Sequence, residues 1–408
     1  MSQSGEIVAG LDVGTTKICL LVGERTGDDE IRVLGVSSRP SEGLRKGVVV
    51  NVARTVASIE KTLEQVENSC EVKIGRVYAG VTGDHVESYN SRAILPIANP
   101  SRGVTRKDMQ SAVEAAGRVS LPADREIFHV LAQEYSVDGR GGIIEPEGIQ
   151  GSRLEANVHL VTGRVPAIND ISNCLLQAGL EMAEPVLQQL ASSLAVMREE
   201  EQESGAVLVD IGGGTTDYAF FRNCAVRHTR VLPVGGDHVT NDISLGMKLL
   251  TRQAEELKKK SASALADRVG DEEVLTLPSP LARSSANRSR KKLCRIVELR
   301  MAEIFQMIRG DLEQAGCFGD IGSGLVLTGG GALLKDIDLL AERETGLPVR
   351  IGLPRGVCGL REVIDSPVYS TAVGLVKYGL KWGVTNPGLP PRSGNFLGGV
   401  RRWLERYF

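Results

Sequence analysis

The sequence predicts an α/β protein made of two related halves around a cleft, with a small α+β subdomain inserted in the first half. Two similar motifs carry this prediction, one at residues 12–16 (Asp-Val-Gly-Thr-Thr) and one at residues 210–216 (Asp-Ile-Gly-Gly-Gly-Thr-Thr). Each follows an apolar run and precedes another, which indicates strand, turn and strand. A recurring motif indicates duplication, and a ligand commonly binds between the copies.

Both turns have the composition of a phosphate-binding loop. Glycines let the backbone approach a ligand, and successive N–H groups form a concave anion site. Asp210 and Asp217 are acceptors that cannot bind phosphate directly, but they suit a hydrated Mg²⁺. For one loop taken alone, a plain hairpin turn is the alternative. A third glycine turn, residues 329–331, follows the apolar run 325–327.

Composition limits the functional classes. The 408 residues exceed one typical domain, and the net charge of −3 implies no attraction of the whole molecule to nucleic acid or membrane. The seven cysteines contain no C-x-x-C pair, which argues against zinc and redox motifs and suits a reducing cytoplasm. The five histidines show no ligand spacing, and no apolar run is long enough to span a bilayer.

Periodicity predicts the remaining elements. Strands are expected at 7–22, 31–37, 77–81, 86–94, 127–136, 157–162 and 347–353, with a loop at 139–151. Helices are expected at 51–70, 105–119, 167–178, 186–201, 238–260, 296–312, 333–345 and 366–382. Ala372 and Gly374 suit close packing of the last helix. The change of character over 84–162 marks this segment as the inserted subdomain.

The last stretch differs from the rest. Residues 386–394 have the composition of a linker, and residues 395–408 form one apolar helical stripe with arginines beside it. A basic amphipathic helix on a flexible tether indicates an interfacial membrane anchor. A helix docked on the protein's own body, or on a partner, is the alternative. The anchor residues are Phe396, Leu397, Val400, Arg401, Arg402, Trp403, Leu404, Arg406, Tyr407 and Phe408.

Together these pieces resemble the actin, Hsp70 and sugar-kinase ATPase superfamily, and within it the FtsA family of bacterial cell-division proteins. The glycine loops are superfamily-level signals, while the insertion and the tail make the match specific. The resemblance implies an actin-like fold with subdomain 1A over 1–83, 163–195 and 360–384, and an inserted subdomain 1C over 84–162. It also implies subdomain 2A over 196–227 and 300–359, subdomain 2B over 228–299, linker 385–394 and membrane helix 395–408.

The resemblance implies ATP and Mg as cofactors. Asp12 and Asp210 would face Mg²⁺ through water, and Lys17 could neutralise phosphate charge. Glu255 and Lys258 would line an adenosine pocket, although a solvated helix face is the alternative for both. The nucleotide-binding candidates are Asp12, Gly14, Thr15, Thr16, Lys17, Asp210, Gly212, Gly213, Gly214, Thr215, Thr216, Asp217, Gly235, Gly236, Asn241, Glu255, Lys258, Gly329, Gly330, Gly331 and Ala332.

Catalysis is expected to be slow at most. Glu184, in a Glu-Pro pair like that of Hsp70-like ATPases, or Gln188 could position the attacking water. The sequence shows no dedicated sugar site and no acceptor base. The nucleotide is therefore expected to act mainly as a structural switch.

A basic cluster between Arg283 and Arg300 is the partner candidate. A solvated helix face without a partner is the alternative. A nucleic-acid site is disfavoured because few aromatic residues interleave with the charges. FtsA proteins bind the C-terminal peptide of the tubulin-like FtsZ in this subdomain, so the resemblance assigns Arg288, Arg300 and Glu303 to that peptide.

The expected function is an actin-like, ATP-binding tether. It would polymerise on the inner face of the cytoplasmic membrane at the division septum, bind FtsZ filaments and anionic lipids, and recruit later division proteins. An actin-like pilus-assembly protein, an Hsp70-like chaperone and a carbohydrate kinase are the alternatives. The first should lack the basic tail, the second needs a substrate domain after residue 385, and the third needs a catalytic carboxylate beside its acceptor.

Overall fold

The computed structural model describes residues 5–27, 30–277 and 286–383. The first half begins with a strand meander, a helix and a further strand. Its elements are β1 (Ile7–Val13), β2 (Lys17–Arg25), β3 (Ile31–Pro40), β4 (Leu44–Arg45), β5 (Val48–Val49), α1 (Val52–Cys70) and β6 (Arg76–Val81). Asn51 caps α1, because its side chain accepts a hydrogen bond from the N–H of Arg54 at 3.0 Å.

The insertion and the return to the first half follow. The inserted subdomain contains β7 (Glu87–Pro96), α2 (Arg106–Ala116), β8 (Arg125–Val137), β9 (Arg140–Ile143) and β10 (Arg153–Arg164). The chain then forms α3 (Val165–Gln177), β11 (Glu181–Leu187), α4 (Gln188–Val196) and α5 (Glu199–Ser204). Thr105 is the N-cap of α2, where it forms a capping box with Asp108.

The second half opens with a second meander. Its elements are β12 (Ala206–Ile211), β13 (Thr216–Arg222), β14 (Ala225–Leu232), α6 (Gly236–Met247), α7 (Thr251–Ser261), β15 (Val274–Leu277), β16 (Ala286–Ser289) and α8 (Arg290–Gln314). It continues through β17 (Leu325–Thr328), α9 (Ile337–Thr345), β18 (Val349–Ile351), β19 (Val357–Cys358), α10 (Arg361–Ile364) and α11 (Ser370–Trp382).

The two main sheets share one plan, which confirms the predicted duplication. The first has the order β11-β6-β1-β2-β3-β19, and the second has the order β14-β13-β12-β17-β18. In each sheet, the first strand of an antiparallel meander also pairs with a parallel strand on its other side. These pairs are β1 with β6 and β12 with β17. The insertion adds a separate sheet with the order β7-β10-β8-β9. The α/β class and the inserted α+β subdomain are both as predicted.

Helices α4 and α11 pack closely together. A Cβ built on Gly374 of α11 would stand 1.8 Å from the carbonyl oxygen of Ala191 in α4, so no side chain fits there. Ala372 is fully buried. The expected close packing of this helix through small residues is confirmed. Both helices direct side chains into the cleft, as described below.

Three predicted elements were wrong. The helix expected over 186–201 starts at Gln188, because Val186 and Leu187 still pair with β6 in the parallel sheet. The helix expected over 238–260 is two helices, separated where Lys248 adopts a left-handed conformation with φ of 55°. The loop expected over 139–151 contains β9.

The missed strand β9 has a recognisable turn before it. Asp138 and Gly139 both have positive φ, 49° and 83°, as in a two-residue type I′ hairpin. Asp-Gly is the composition which that turn favours, so the sequence did contain the signal.

Two predicted subdomain boundaries cut through continuous elements. The boundary between residues 227 and 228 falls inside β14, and the boundary between residues 299 and 300 falls inside α8. Strand pairing and helical hydrogen bonds run without a break across both points. Within the described ranges, no helix is both long and apolar enough to cross a membrane.

Candidate nucleotide-binding cleft

The first glycine turn joins β1 to β2. Gly14 donates its N–H to the carbonyl of Lys17 at 3.0 Å, which closes the turn. Asp12, at the end of β1, is 5% exposed. The Lys17 ammonium donates to Asp12 Oδ2 at 2.9 Å and to the Val368 carbonyl at 2.7 Å. Lys17 is therefore held by the protein in this structure rather than directed freely at a phosphate.

Electrostatics agree with this arrangement. Burial is the largest single effect and would lower the pKa of the Lys17 ammonium, but Asp12 and the other acidic groups nearby together outweigh it, and the pKa lies above its usual value. Lys17 therefore stays charged and compensates Asp12. A phosphate would have to compete with Asp12 for this cation.

The second glycine turn joins β12 to β13 and is held by the start of α6. Gly212 donates to the Thr215 carbonyl at 3.0 Å within the turn. The N–H groups of Gly236 and Asp237 donate to the carbonyls of Gly212 and Gly213 at 2.9 and 2.8 Å. The N-terminus of α6 therefore positions the backbone of the turn.

Gly235 is needed for this approach. A Cβ at Gly235 would lie 2.6 to 2.8 Å from three carbonyl oxygens of the turn. A larger residue would separate α6 from the second turn.

The acidic residues of the second half are buried and hydrogen-bonded. Asp210 accepts hydrogen bonds from Ser192 of α4 at 2.7 Å and from Thr371 of α11 at 3.1 Å. Burial raises its pKa. Asp217 accepts from Thr82 at 2.5 Å and from Thr215 at 3.0 Å, and burial raises its pKa to about 7.

The two turns meet face to face. A Cβ on Gly213 would stand 1.7 Å from Thr16 Oγ1, and one on Gly214 would stand 2.5 Å from Thr15 Oγ1. Thr16 also forms a side-chain hydrogen bond with Asp237. The predicted arrangement of two turns on opposite sides of one cleft is therefore what the structure contains.

The free N–H groups are fewer than expected. Gly14 and Gly212 use theirs inside their own turns. In the described part of the chain, the N–H groups of Thr15, Thr16, Gly213, Gly214 and Thr215 donate to no protein acceptor. These groups are left to bind an anion.

The third glycine turn lies beside the second. Thr328, the last residue of β17, pairs with Asp210, and Gly329 follows with φ of 80°. A Cβ there would lie 2.2 Å from Asp210 Oδ1. Gly330, Gly331 and Ala332 continue into a short 3₁₀ turn.

Glu255 and Lys258 form a network between α6 and α7 rather than a solvated face. Lys258 donates to the Gly236 carbonyl at 2.8 Å and to Thr240 Oγ1 at 2.7 Å, and it pairs with Glu255 at 2.7 Å. Thr240 also donates to Glu255. Asn241 is exposed on α6. The network ties α7 to the start of the helix that holds the second turn.

Glu184 and Gln188 occupy different places. Gln188 begins α4 at the carboxyl end of β11, and its amide donates to Asp12 Oδ1 at 3.0 Å. Glu184 pairs with Tyr78 within the sheet, roughly 13 Å back along the strand at about 3.3 Å per residue. Of the two candidates, the geometry favours Gln188.

Sequence reasoning missed four residues that complete the cleft. Thr82 follows the end of β6 and bonds Asp217, while Asp237, Ser192 and Thr371 contact the turns from helices. Thr82 could have been found, because it follows a buried parallel strand at the same sheet edge as Asp12. The others depend on how the helices pack.

The basic cluster is largely paired. Its ion pairs are Arg290 with Glu273 at 2.6 Å, Lys291 with Asp271 at 2.7 Å, Arg295 with Glu298 at 3.1 Å, and Arg300 with Asp242 at 2.6 Å and with Glu303 at 2.5 Å. Arg288 is exposed on β16. Arg283 and the predicted membrane residues 396–408 lie outside the described residues.

The fold and site can be compared with known proteins. The family model for the cell division protein FtsA matches residues 207–374, and the model for the SHS2 domain inserted in FtsA matches residues 83–162. The cell division protein FtsA of Pseudomonas aeruginosa is 43% identical over 379 residues, which cover 93% of this chain and 90% of that protein. The chain belongs to the FtsA family of cell-division proteins.

Two solved structures share this architecture. A PilM–PilN type IV pilus biogenesis complex matches with a TM-score of 0.66 at 18% identity, covering 91% of this chain and 98% of that one. MreB5 of Spiroplasma citri bound to ADP matches with a TM-score of 0.56 at 15% identity, covering 93% and 99%. The chain therefore has the actin-like ATPase fold.

Proposed function

We propose that this member of the FtsA family binds ATP between its two halves and uses the nucleotide as a structural switch. The contact of Thr15 and Thr16 with Gly213 and Gly214 across the cleft carries this proposal. Five unpaired backbone N–H groups lie on these two turns, and such groups bind phosphate well. A phosphate chain held by both turns would set how closely the halves approach.

Mg²⁺ fits the oxygen-rich floor of the cleft. Asp12 and Asp210 each accept hydrogen bonds yet keep lone pairs, and Mg²⁺ prefers oxygen ligands and retains several waters. Among the described residues, no three acidic, histidine or cysteine side chains cluster closely enough to hold a metal directly. When bound, the ion would neutralise phosphate charge, with Asp12 and Asp210 contacting its waters.

Hydrolysis would be slow. Gln188 lies beside Asp12, and an amide can orient a water without accepting its proton. This chemistry suits a switch that assembles subunits better than an enzyme that turns over substrate rapidly.

The tail supports a membrane tether at the division septum. Residues 395–408 combine an apolar stripe with three basic residues beside it, Arg401, Arg402 and Arg406. A single short helix of this kind binds anionic lipid reversibly, at about 1 kcal/mol per basic residue. Several helices linked in one filament would bind firmly through avidity. Polymerisation and membrane attachment would therefore reinforce each other on the inner face of the cytoplasmic membrane.

The partner for this tether is the C-terminal peptide of FtsZ, with later division proteins recruited to the same filament. Arg288 is exposed, and α8 carries Arg300 at the end of the basic cluster and Glu303 one turn beyond it. A partly acidic peptide would be attracted to Arg288 and would compete with Asp242 for Arg300.

A sedimentation assay tests the tether. The full chain, the chain ending at residue 394 and Trp403→Glu are each mixed with anionic vesicles, with and without FtsZ. The full chain should sediment and bring FtsZ down, whereas both variants should stay in solution and still bind ATP. A full chain that ignores anionic vesicles would refute the proposal, and loss of ATP binding with the tail would place the tail in the fold.

A pilus-assembly ATPase is the second candidate, favoured by the structural likeness to the PilM–PilN complex. The same assay separates the two, because a pilus-assembly protein would not carry FtsZ to vesicles.

A further inference from the structure

The inserted subdomain contacts the second half as well as the first. β14 is the edge strand of the second sheet, and edge strands expose unpaired carbonyl groups. Side-chain donors of the insertion reach these carbonyls: Ser88 reaches Thr229 at 2.8 Å, Asn90 reaches Arg227 at 3.3 Å, and Gln133 reaches Val226 at 2.8 Å. The insertion therefore covers this edge with side chains instead of extending the sheet.

A buried histidine lies at the centre of this contact. His159 is 1% exposed, with Nδ1 at 2.7 Å from Asn90 Oδ1 and Nε2 at 2.9 Å from Thr229 Oγ1. Because the Asn90 amide nitrogen donates to Arg227, its oxygen accepts, so Nδ1 of His159 carries the proton. Nε2 then carries no proton, and it shares the single hydrogen of the Thr229 hydroxyl with Ser88 Oγ, which lies 2.9 Å from Thr229 Oγ1. These bonds are satisfied together only while the insertion and β14 remain in contact.

The rim of the contact adds an ion pair. Arg227 of β14 donates to Glu134 of β8 at 3.1 Å, with both side chains partly exposed. We call Ser88, Asn90, Gln133 and His159 with Val226, Arg227 and Thr229 the polar clasp. When the two surfaces separate, water can hydrogen-bond to the polar groups of the clasp. Opening the clasp therefore leaves none of these groups buried without a hydrogen-bond partner.

The clasp is connected to the cleft through short covalent paths. Thr82, which bonds Asp217, leads directly into β7, which carries Ser88 and Asn90. On the other side, Asp217 pairs with Val231 of β14, the strand that carries Thr229. The Thr82–Asp217 and Ser88–Thr229 bonds therefore join the same two pieces of chain at successive points. A rotation that separates Thr82 from Asp217 must also strain the clasp.

We propose that the polar clasp holds the inserted subdomain to the second half while the cleft is closed, and that opening the cleft releases it. Closing or opening the cleft then changes the contact between the inserted subdomain and β14, which lies away from the phosphate turns. The coupling to nucleotide rests on the proposed ATP binding, but the clasp itself does not. A ligand that stabilises the closed cleft would stabilise the clasp, and by linkage the clasp would stabilise the bound ligand.

The chain offers a closely matched control for a test. Ser88 and Ser91 both lie on β7, and both donate to a backbone carbonyl, Ser88 to Thr229 at 2.8 Å and Ser91 to Ala116 at 2.9 Å. The first bond crosses to the second half, and the second stays inside the insertion. The test compares the full chain carrying Ser88→Ala with Thr229→Val against the full chain carrying Ser91→Ala.

Two measurements are made on each variant. Hydrogen–deuterium exchange without nucleotide should be faster over residues 225–232 in the double variant and unchanged there in Ser91→Ala. Release of a fluorescent ATP analogue should be at least about fivefold faster in the double variant, since that is the factor expected from one average buried hydrogen bond and the variant removes two, and it should be unchanged in Ser91→Ala.

The outcomes separate the two proposals. Unchanged exchange over residues 225–232 in the double variant overturns the clasp, whether or not nucleotide binds. Faster exchange with unchanged release overturns the coupling of the clasp to the cleft. If the unmodified chain binds no ATP analogue, the proposed nucleotide function fails, and the exchange measurement still decides whether the clasp exists.

Discussion

Thr82 of the first half donates a hydrogen bond to Asp217 of the second half, with 2.5 Å between Oγ1 and Oδ1. Both side chains are buried, at 4% and 3% exposure. Burial raises the pKa of Asp217 to about 7, and the bond from Thr82 opposes that rise. This bond crosses directly behind the two glycine turns, so it links closure of the cleft to the state of one carboxyl group.

Removing this hydroxyl should weaken nucleotide binding. Thr82→Val keeps the shape of the side chain but leaves Asp217 with one hydrogen-bond donor fewer in the closed state. We expect about a five- to tenfold loss of ATP affinity by calorimetry, which is the effect of about one buried hydrogen bond.

Thr62→Val is the control for that experiment. Thr62 is also fully buried, and its hydroxyl donates to the Ser58 carbonyl at 2.7 Å within α1. It should lower thermal stability without changing ATP affinity. Equal losses of affinity in both variants would show that Thr82 acts through general stability.

The position of Gln188 predicts its role in hydrolysis. Its amide lies 3.0 Å from Asp12, whereas Glu184 lies well back along β11. In single-turnover assays Gln188→Ala should slow ATP hydrolysis about tenfold or more with little change in affinity, because a water loses its orienting group. Glu184→Gln should leave the rate unchanged. A slowed Glu184→Gln with an unaffected Gln188→Ala would reverse the assignment.

Two buried histidines predict sensitivity to acid. Burial lowers the pKa of His129 and His159 to about 3, from an ordinary value of 6.5. Between these values the unfolded chain binds protons on both residues and the folded chain does not. The free energy of unfolding should therefore fall as pH drops from 6.5 towards 3, by about 1.4 kcal/mol per pH unit for each histidine.

A substitution separates the two contributions. We expect the free energy of unfolding, measured with denaturant at pH 7, 6, 5 and 4, to fall less steeply for His159→Gln than for the unmodified chain. The variant has one histidine fewer that binds a proton only in the unfolded state. Parallel declines would mean that His159 is not held neutral in the fold.

The basic cluster predicts different effects for its two arginines. Arg288 is exposed, while Arg300 is held by Asp242 and Glu303. Arg288→Ala should weaken binding of the FtsZ C-terminal peptide severalfold in fluorescence anisotropy and leave the melting temperature unchanged. Arg300→Ala should weaken binding and also lower the melting temperature, because Asp242 loses its partner.

Arg252→Ala provides the reference for those two. Arg252 is an exposed cation on α7 that pairs with Glu256 at 3.2 Å. It should affect neither peptide binding nor stability. A loss of binding equal to that of Arg288→Ala would show that net charge, rather than a site, attracts the peptide.

Local sequence determined the turns and most of the elements. The glycine-threonine turns, the cap at Asn51 and the capping box at Thr105 depend on residues close together in the chain, so their chemistry can be read directly. The duplication was visible because both turns end buried apolar strands. The Asp-Gly turn before β9 is equally local, because Asp138 and Gly139 supply its positive φ angles themselves.

Tertiary structure decided what periodicity could not. Val186 and Leu187 fit a helical pattern, but pairing with β6 makes them a strand. Lys17 looked available for phosphate, yet Asp12 and the Val368 carbonyl hold its ammonium. The extents of β14 and α8, which contain the predicted subdomain boundaries at 227/228 and 299/300, also depend on strand pairing and helix packing between residues distant in the chain.

Sequence and tertiary structure therefore determine different features of this protein. The sequence by itself determined that two phosphate-type turns exist, since backbone chemistry at a turn is set by its own glycines and threonines. Only the tertiary structure decided that Thr15 and Thr16 face Gly213 and Gly214, and that Thr82 and the polar clasp join the halves behind them. Those contacts link residues far apart in the chain, and packing of the whole fold brings them together.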